Sequence, residues 1–490
     1  MDRLDRRSLL MGGGLVLGAA ACSRPLAAAS GAGQTLLPIP PLIDAREQGL
    51  SISLRAQAGK MSFFPGRLSD TLGYNGGYLG PTLRVHTGDE VKVAVTNSMA
   101  ADTTVHWHGL LISGEFDGGP HQIIAPGATW RPTLPIHQRA ATLFYHPHAH
   151  GLTAEQVYSG LAGVFLVSDE EERGLGLPAE YGVDDLPLVI QDRQFQDGRL
   201  VMPTGMMIAM QGRRGDTILV NGAPTPMARV PGRLVRLRLV NGSNARIYEL
   251  SFSDGRAFHW IATEGGLLER PVELQAITLA PGQRAEVLVN FADGKSVSLV
   301  TGADSNSSMM AGMMGSAAGE TSASAPAMVL RFEPQAMGQA RANTSVPKLL
   351  GSRTRPDVNR ALQRRRLVLN MGRGGMMGSG GGMALTINGK PFDMNRIDQQ
   401  VKLGASEIWE VSGETMRHPF HIHGVHFEVL SRGGGKPDVL DQGSRDTVLV
   451  KQPVELLVQF DQPAVKAPFM YHCHILEHED NGMMGQFTVA

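Results

Sequence analysis

The sequence predicts an all-β protein built from three β-sandwich modules. Two observations carry that expectation: an excess of glycine, and a turn-and-strand pattern that occurs three times. Glycine supplies 60 of the 490 residues, well above the usual ~7%, which suits a chain of many tight turns. The first copy of the pattern is Asn75-Gly76, Gly80-Pro81-Thr82-Leu83-Arg84-Val85, Gly88 and the alternating run Val91 to Asn97. The second is Asn221-Gly222, Pro224, Val230, Gly232 and the run Leu234 to Asn241; the third is Asn388-Gly389, Pro391, Val401, Gly404 and Ile408-Trp409-Glu410-Val411. Each is a turn signal followed by period-two alternation, which reads as strand, turn, strand. Ala125-Pro126-Gly127 and Ala280-Pro281-Gly282 form a second echo, each leading into another strand-like run. Repetition at this length points to stacked sandwich modules.

Taken in order, residues 1–29 are an address rather than structure. Arg6-Arg7 precedes Ser8 and an apolar run from Leu9 to Ala21, and Ala27-Ala28-Ala29 fits an export cleavage site. That run is too short for a bilayer, which needs ~20 residues, and it is read as a twin-arginine signal peptide, a leader of proteins exported already folded. Periplasmic localisation follows. Two fates are open to Cys22, which follows Ala19-Ala20-Ala21: removal with the leader, or service as a lipid anchor. Module 1 is placed at 36–170, module 2 at 180–335 and module 3 at 365–490. Residues 336–364, polar and without a sustained period, read as a linker. The Gly/Ser/Ala/Met-rich stretch from Asp304 to Pro326 reads as a surface loop. Lys and Arg number 45 against 46 Asp and Glu, so no basic surplus exists to grip nucleic acid.

Histidine carries the functional signal. Of 16 histidines, most fall in four clusters: His106-Trp107-His108, His146-Pro147-His148-Ala149-His150, His418-Pro419-Phe420-His421-Ile422-His423, and His472-Cys473-His474 with His478 beyond. Module 2 contains only His259, so any metal chemistry belongs to modules 1 and 3. On a strand, residues i and i+2 share a face. His106 with His108, His146 with His148, His421 with His423 and His472 with His474 therefore project as four pairs. Eight imidazoles exceed the needs of one ion and could saturate three, if modules 1 and 3 pack face to face. Cys473, between two of them, points the other way, where it can join His418, His478 and Met483. Two histidines, a thiolate and a weak thioether are the ligand set of a blue-copper electron-transfer site. With the leader removed, Cys473 is the one cysteine left of two, and no internal disulfide can form.

These motifs resemble those of the three-domain multicopper oxidases, a family that includes laccases and bacterial copper efflux oxidases. They read His-Trp-His-Gly, His-Pro-His-Ala-His, His-Pro-Phe-His-Ile-His-Gly and His-Cys-His-Ile-Leu-Glu-His with Met483 following, and the likeness spans nearly the whole exported chain. It implies three cupredoxin-like Greek-key β-sandwich domains and four copper ions. His418, Cys473, His478 and Met483 would hold type 1 copper, and His106 and His421 type 2 copper. His108, His146 and His474 would hold one type 3 copper, and His148, His423 and His472 the other. The implied reaction couples four one-electron oxidations to reduction of O2 to water. Asp117 and Glu479 match acids that the family places near the cluster for proton delivery.

The resemblance narrows toward the copper efflux oxidases. Glu414-Thr415-Met416 precedes His418, as an acid-x-Met segment does in that branch, though the family acid is usually Asp. Glu414 and Met416, with Met371 and Met376 from a methionine-rich segment, are the candidate substrate ligands, because soft thioethers favour Cu(I). Met202, Met206 and Met210 have helical spacing and fit either packing or copper binding. A packing role suits the glycine-flanked methionines poorly. The segment before module 3 is shorter than the long Met/His-rich insertion of well-known members and lacks histidine, so a more open type 1 site and easier access for phenols are expected. Cu(I) and phenolic molecules are the expected substrates, copper tolerance the expected role, and a monomer the expected state. Within the oxidases, a general laccase-type phenol oxidase without a copper-homeostasis role is the alternative, and Mn(II) stays open as a substrate. The rivals outside them are a two-domain copper nitrite reductase, which needs far fewer cluster histidines, and a non-catalytic exported protein of this fold, acting in cell-envelope assembly or copper sequestration.

Overall fold

Strands of the chain pair into six sheets, two for each stretch of sequence. The computed structural model describes residues 35–304, 306, 326–336, 345–353, 355–373 and 383–490. Residues 1–29, expected to be a twin-arginine leader, Cys22 within them, Met376 and most of the Asp304–Pro326 stretch lie outside the described residues.

Strands between Leu42 and Ser168 form two five-stranded sheets, and those between Met383 and Val489, with Ala361–Arg373, form two more. Between Asp185 and Gln335 lie a sheet of eight strands and one of five. Three separate apolar cores follow the same division. Each holds one fully buried tryptophan: Trp107 in module 1, Trp260 in module 2 and Trp409 in module 3.

The repeated Asn-Gly explains why the modules look alike in sequence. Asn75, Asn221 and Asn388 all adopt left-handed backbone, with φ of 55°, 51° and 53°, which Asn tolerates better than most residues. In each module the Asn amide does one job. Its Oδ1 accepts from a backbone N–H on a neighbouring strand, at Arg55, Val189 and Val368. Its Nδ2 donates two residues earlier on that strand, to the carbonyls of Ser53, Pro187 and Arg366. In modules 2 and 3 the pair forms the expected tight turn, bridging Val220 to Ala223 and Ile387 to Lys390.

Two boundaries differ from the sequence expectation. Leu36 bridges to Met227, and Leu37 packs into the module 2 core, so the chain first touches module 2 before entering module 1 at Leu42. The first strand of module 3 begins at Ala361, inside the stretch read as linker.

Helices are few and short. Among them are α1 (Thr153–Ser159), α2 (Glu170–Gly174), α3 (Met206–Gln211) and α4 (Leu476–Asp480). The expectation that Met202, Met206 and Met210 share one helical face is corrected: α3 starts only at Met206, after Pro203 and Gly205. No helix among the described residues is long and apolar enough to cross a membrane.

Candidate metal centres

The first centre forms where modules 1 and 3 meet. In module 1, the strand His106–His108 pairs antiparallel with Ala141–His146, placing His106 opposite His146. In module 3, His418–Ile422 pairs with Ala464–Cys473, placing His421 opposite His472. His106, His108, His146, His421 and His472 lie on these strands and His148, His423 and His474 just beyond their ends, and the rings of the two modules interleave. The His106 ring stacks on His423 at 3.8 Å and the His108 ring on His421 at 3.7 Å. His148 Nε2 and His423 Nε2 each lie 3.1 Å from His472 Nε2. All eight histidines are buried, with at most 2% exposure.

Three buried carboxylates grip this cluster from outside. His423 Nδ1 donates to Asp117 Oδ2 at 2.7 Å, and His106 Nδ1 donates to the Asp117 carbonyl at 3.0 Å. Glu479 places Oε1 3.3 Å from His148 Nδ1 and Oε2 3.2 Å from His472 Nδ1. Asp446 accepts from His108 Nε2 at 3.0 Å on Oδ1, and from His421 Nδ1 at 2.8 Å on its carbonyl. Asp446 in turn receives both Nη atoms of Arg284, at 2.8 and 2.6 Å. The sequence reading missed Asp446 and Arg284, since neither lies beside a histidine motif and no spacing singles them out.

The second centre surrounds Cys473. Its Sγ lies 3.5 Å from His418 Nδ1 and 3.5 Å from His478 Nδ1. Both imidazoles have their other nitrogen engaged: His418 Nε2 donates to the Glu414 carbonyl at 3.1 Å and His478 Nε2 to the Met210 carbonyl at 2.8 Å. That fixes the tautomer and leaves each Nδ1 lone pair facing the sulfur. The Ile475 N–H points at Sγ from 3.4 Å. Met483 is fully buried in the same core as Cys473, and its carbonyl accepts from Cys473 N at 3.1 Å. The turn through α4 thus brings Cys473, His478 and Met483 together.

Candidate substrate residues scatter. Glu414 is exposed, Met416 is buried in the module 3 core, and between them Thr415 has a φ of 71°. Met371 is also buried in that core. His418 and His478 are both fully buried, and the Met210 carbonyl of α3, in module 2, lies against His478. Most of the segment on which the expected openness of this centre rests, residues 374–382, lies outside the described residues.

These geometries fit a metal. Groups of potential ligand atoms close enough to share an ion are His418, Cys473 and His478; His148, His423 and His472; His106, His421 and His423; His106, His108 and His146; and His108, His421 and Asp446. His474 falls outside these groups; its ring centroid is 5.0 Å from His108 and 5.4 Å from His146. Among the described residues, His106 Nε2, His421 Nε2 and both His474 nitrogens are buried without a hydrogen-bond partner, a costly arrangement unless a ligand completes it. Burial pulls His418 down to about 4 and His478 to about 3, so both are neutral with a lone pair to offer at pH 7. Burial also pushes the Cys473 thiol well up. A bound cation reverses that and takes the sulfur as thiolate.

Comparison with known proteins agrees with this chemistry. Multicopper oxidase family models match residues 55–172, 188–317 and 362–490. The Staphylococcus aureus multicopper oxidase mco is 37% identical over 94% of this chain and 94% of its own. The cell division protein FtsP of Xenorhabdus nematophila is 38% identical over 99% of this chain and 98% of its own. Among solved structures, the laccase-like multicopper oxidase CueO from Ochrobactrum sp. superposes with a TM-score of 0.84 at 40% identity, covering 93% of this chain and all of that one. The fold is that of three cupredoxin-like sandwiches. The chain belongs to the multicopper oxidase family, whose members bind copper, and that membership supports an oxidoreductase.

Proposed function

We propose that this protein is an exported oxidase that withdraws single electrons from cuprous ion or small phenols and reduces O2 to water, with a role in copper tolerance. The observation that carries the reading is the placement of Cys473: its sulfur sits between two neutral imidazoles, and its chain neighbours on both sides, His472 and His474, belong to the other centre. Four copper ions are the implied complement, held as the family resemblance assigns them. Copper bound at the two centres supplies one-electron chemistry and the means to reduce O2. The chain supplies the rest. The peptide units flanking Cys473 link the electron-accepting centre to the cluster covalently. Asp117 and Glu479, buried against the cluster, each touch two histidines and are placed to pass protons inward.

Support for the donor class is twofold. Exposed Glu414 and buried Met416 stand beside His418, a carboxylate and a thioether suited to a cuprous ion. The related Ochrobactrum protein has oxidase activity towards lignin model compounds, which favours phenols. The protein works as a monomer in the periplasm on this reading.

A non-catalytic cell-envelope role is the second reading, favoured by the cell division relatives, which match along the full chain at 37–40% identity. Metal analysis separates the two. About four coppers per chain supports the oxidase, and none or one supports the binder. Steady-state kinetics on Cu(I), a phenol and Mn(II), run side by side, then assigns the donor. Failure to oxidise either Cu(I) or the phenol would remove the proposed substrate class.

A further inference from the structure

Module 2 contributes none of the eight cluster histidines, yet its segment Ala280–Arg284 reaches the cluster at three points. Arg284, fully buried, donates both Nη atoms to Asp446, and Asp446 holds His108 and His421. Gln283 Nε2 donates to the Thr447 carbonyl at 3.2 Å. Gly282 lies against His474 so closely that a Cβ there would stand 2.9 Å from the imidazole ring. Arg284 also ties back to module 1 through the Thr142 carbonyl at 3.1 Å and to its own turn through the Gly282 carbonyl at 2.9 Å. One side chain thereby joins all three modules at the cluster wall.

We propose that Arg284 is a positioning residue for the cluster: through Asp446 it fixes His108 in the orientation that turns Nδ1 inward, and so governs copper retention there. The inference rests on the copper-oxidase reading above. His421 spends Nδ1 on the Asp446 carbonyl and leaves Nε2 free, whereas His108 spends Nε2 on the Asp446 carboxylate and presents Nδ1, 3.4 Å from His146 Nε2. The stacked rings of His108 and His421, only 16° apart in plane, are therefore used in opposite senses, with Asp446 and the Thr447 hydroxyl, 3.2 Å from both His108 Nε2 and His421 Nδ1, holding the outer nitrogens. A buried aspartate can hold that post only if its charge is matched, and a bidentate guanidinium matches it with fixed geometry. The chain makes room for the pair. At Gly109, with φ of 91°, a Cβ would meet Arg284 Nη2 at 2.4 Å and Asp446 Oδ2 at 2.5 Å. The glycine after His108 is thus required by the ion pair as well as by the turn.

The test is copper retention during dialysis against a chelator, read as total copper per chain alongside the blue absorption of the Cys473 centre. Arg284→Gln should lose cluster copper more readily than wild type, by up to the ~10–100-fold that follows loss of a metal-bound histidine's own partner, while blue absorption per chain holds. Arg284→Lys, which keeps the charge without the fork, should fall between. In the double variant with Asp446→Asn the loss should be no greater than in the worse single variant, because both act through one contact. Should Arg284→Gln fail to fold, Arg284→Lys and Gly109→Ala provide the same comparison. Wild-type retention in the variants would overturn the proposal. So would equal loss from both centres with a lowered melting point of the copper-free protein, which is what a purely structural ion pair gives. A wild-type chain that holds no copper would sink the oxidase reading and this inference with it; a copper-replete wild type with unaffected variants sinks this inference alone.

Discussion

At the scale of single residues, Cys473 separates the two centres and joins them. A buried thiol held well above its ordinary range is inert, and the two imidazoles at 3.5 Å become ligands only with a metal between them and the sulfur. Cys473→Ser should therefore abolish the blue absorption and all oxidase activity, with the cluster histidines untouched. A variant that stays blue removes the Cys473 assignment. Close to His418 in sequence, Glu414 is exposed and Met416 buried. Glu414→Ala combined with Met416→Ala should lower cuprous oxidation about tenfold and phenol oxidation by much less. Equal losses on both substrates would argue against a dedicated cuprous site.

At the scale of elements, α3 decides how the Cys473 centre meets solvent. Met206 is 66% and Met207 41% exposed on its outer side, while the Met210 carbonyl holds His478 from within. Replacing Met206–Gln211 by a short Gly/Ser loop should raise turnover of a bulky phenol several-fold, with a smaller change for Cu(I). Unchanged or reduced phenol turnover would exclude α3 as the barrier. None of this could be read from sequence, because a cover supplied by another module leaves no local pattern. The strands and the ligands were legible for the opposite reason. Period-two spacing puts His106 with His108 and His421 with His423 on one face whatever the rest of the molecule does, and Cys473 between two such ligands must face away. Arg284 and Asp446 lie on strands and turns with no such periodicity, and their meeting depends on how three modules dock.

At the scale of the whole molecule, docking buries charge that alternation alone would leave on a wet face. Along Leu234–Asn241 every residue is buried, including Arg236 and Arg238, because module 1 and α2 cover the side normally open to water. Arg236 Nε donates to Glu286 Oε2 at 2.7 Å and its Nη2 to Glu172 at 2.6 Å. Arg238 binds Asp185 at 2.6 and 2.9 Å and Glu286 at 3.1 Å. From module 1, Thr142 donates to Glu286 at 2.7 Å. Burial alone would raise the Glu286 carboxyl, but Arg236, Arg238 and the Thr142 hydroxyl outweigh it and hold it at about 2, below its ordinary 4.5. A carboxylate lowered on folding binds its proton more weakly in the folded state. Its contribution, about 3 kcal/mol by linkage, is full above pH 4.5 and is lost as the pH falls from there toward 2. The denaturation midpoint of the copper-free protein should therefore drop steeply across that window. Glu286→Gln should already cost about 3–5 kcal/mol at pH 7, since it strips two buried guanidiniums of their shared partner, and its midpoint should fall less between pH 4.5 and 3 than that of wild type. Parallel acid slopes in the two proteins would mean that the seam between modules 1 and 2 is not held by this carboxylate, and that their docking rests on apolar contact alone.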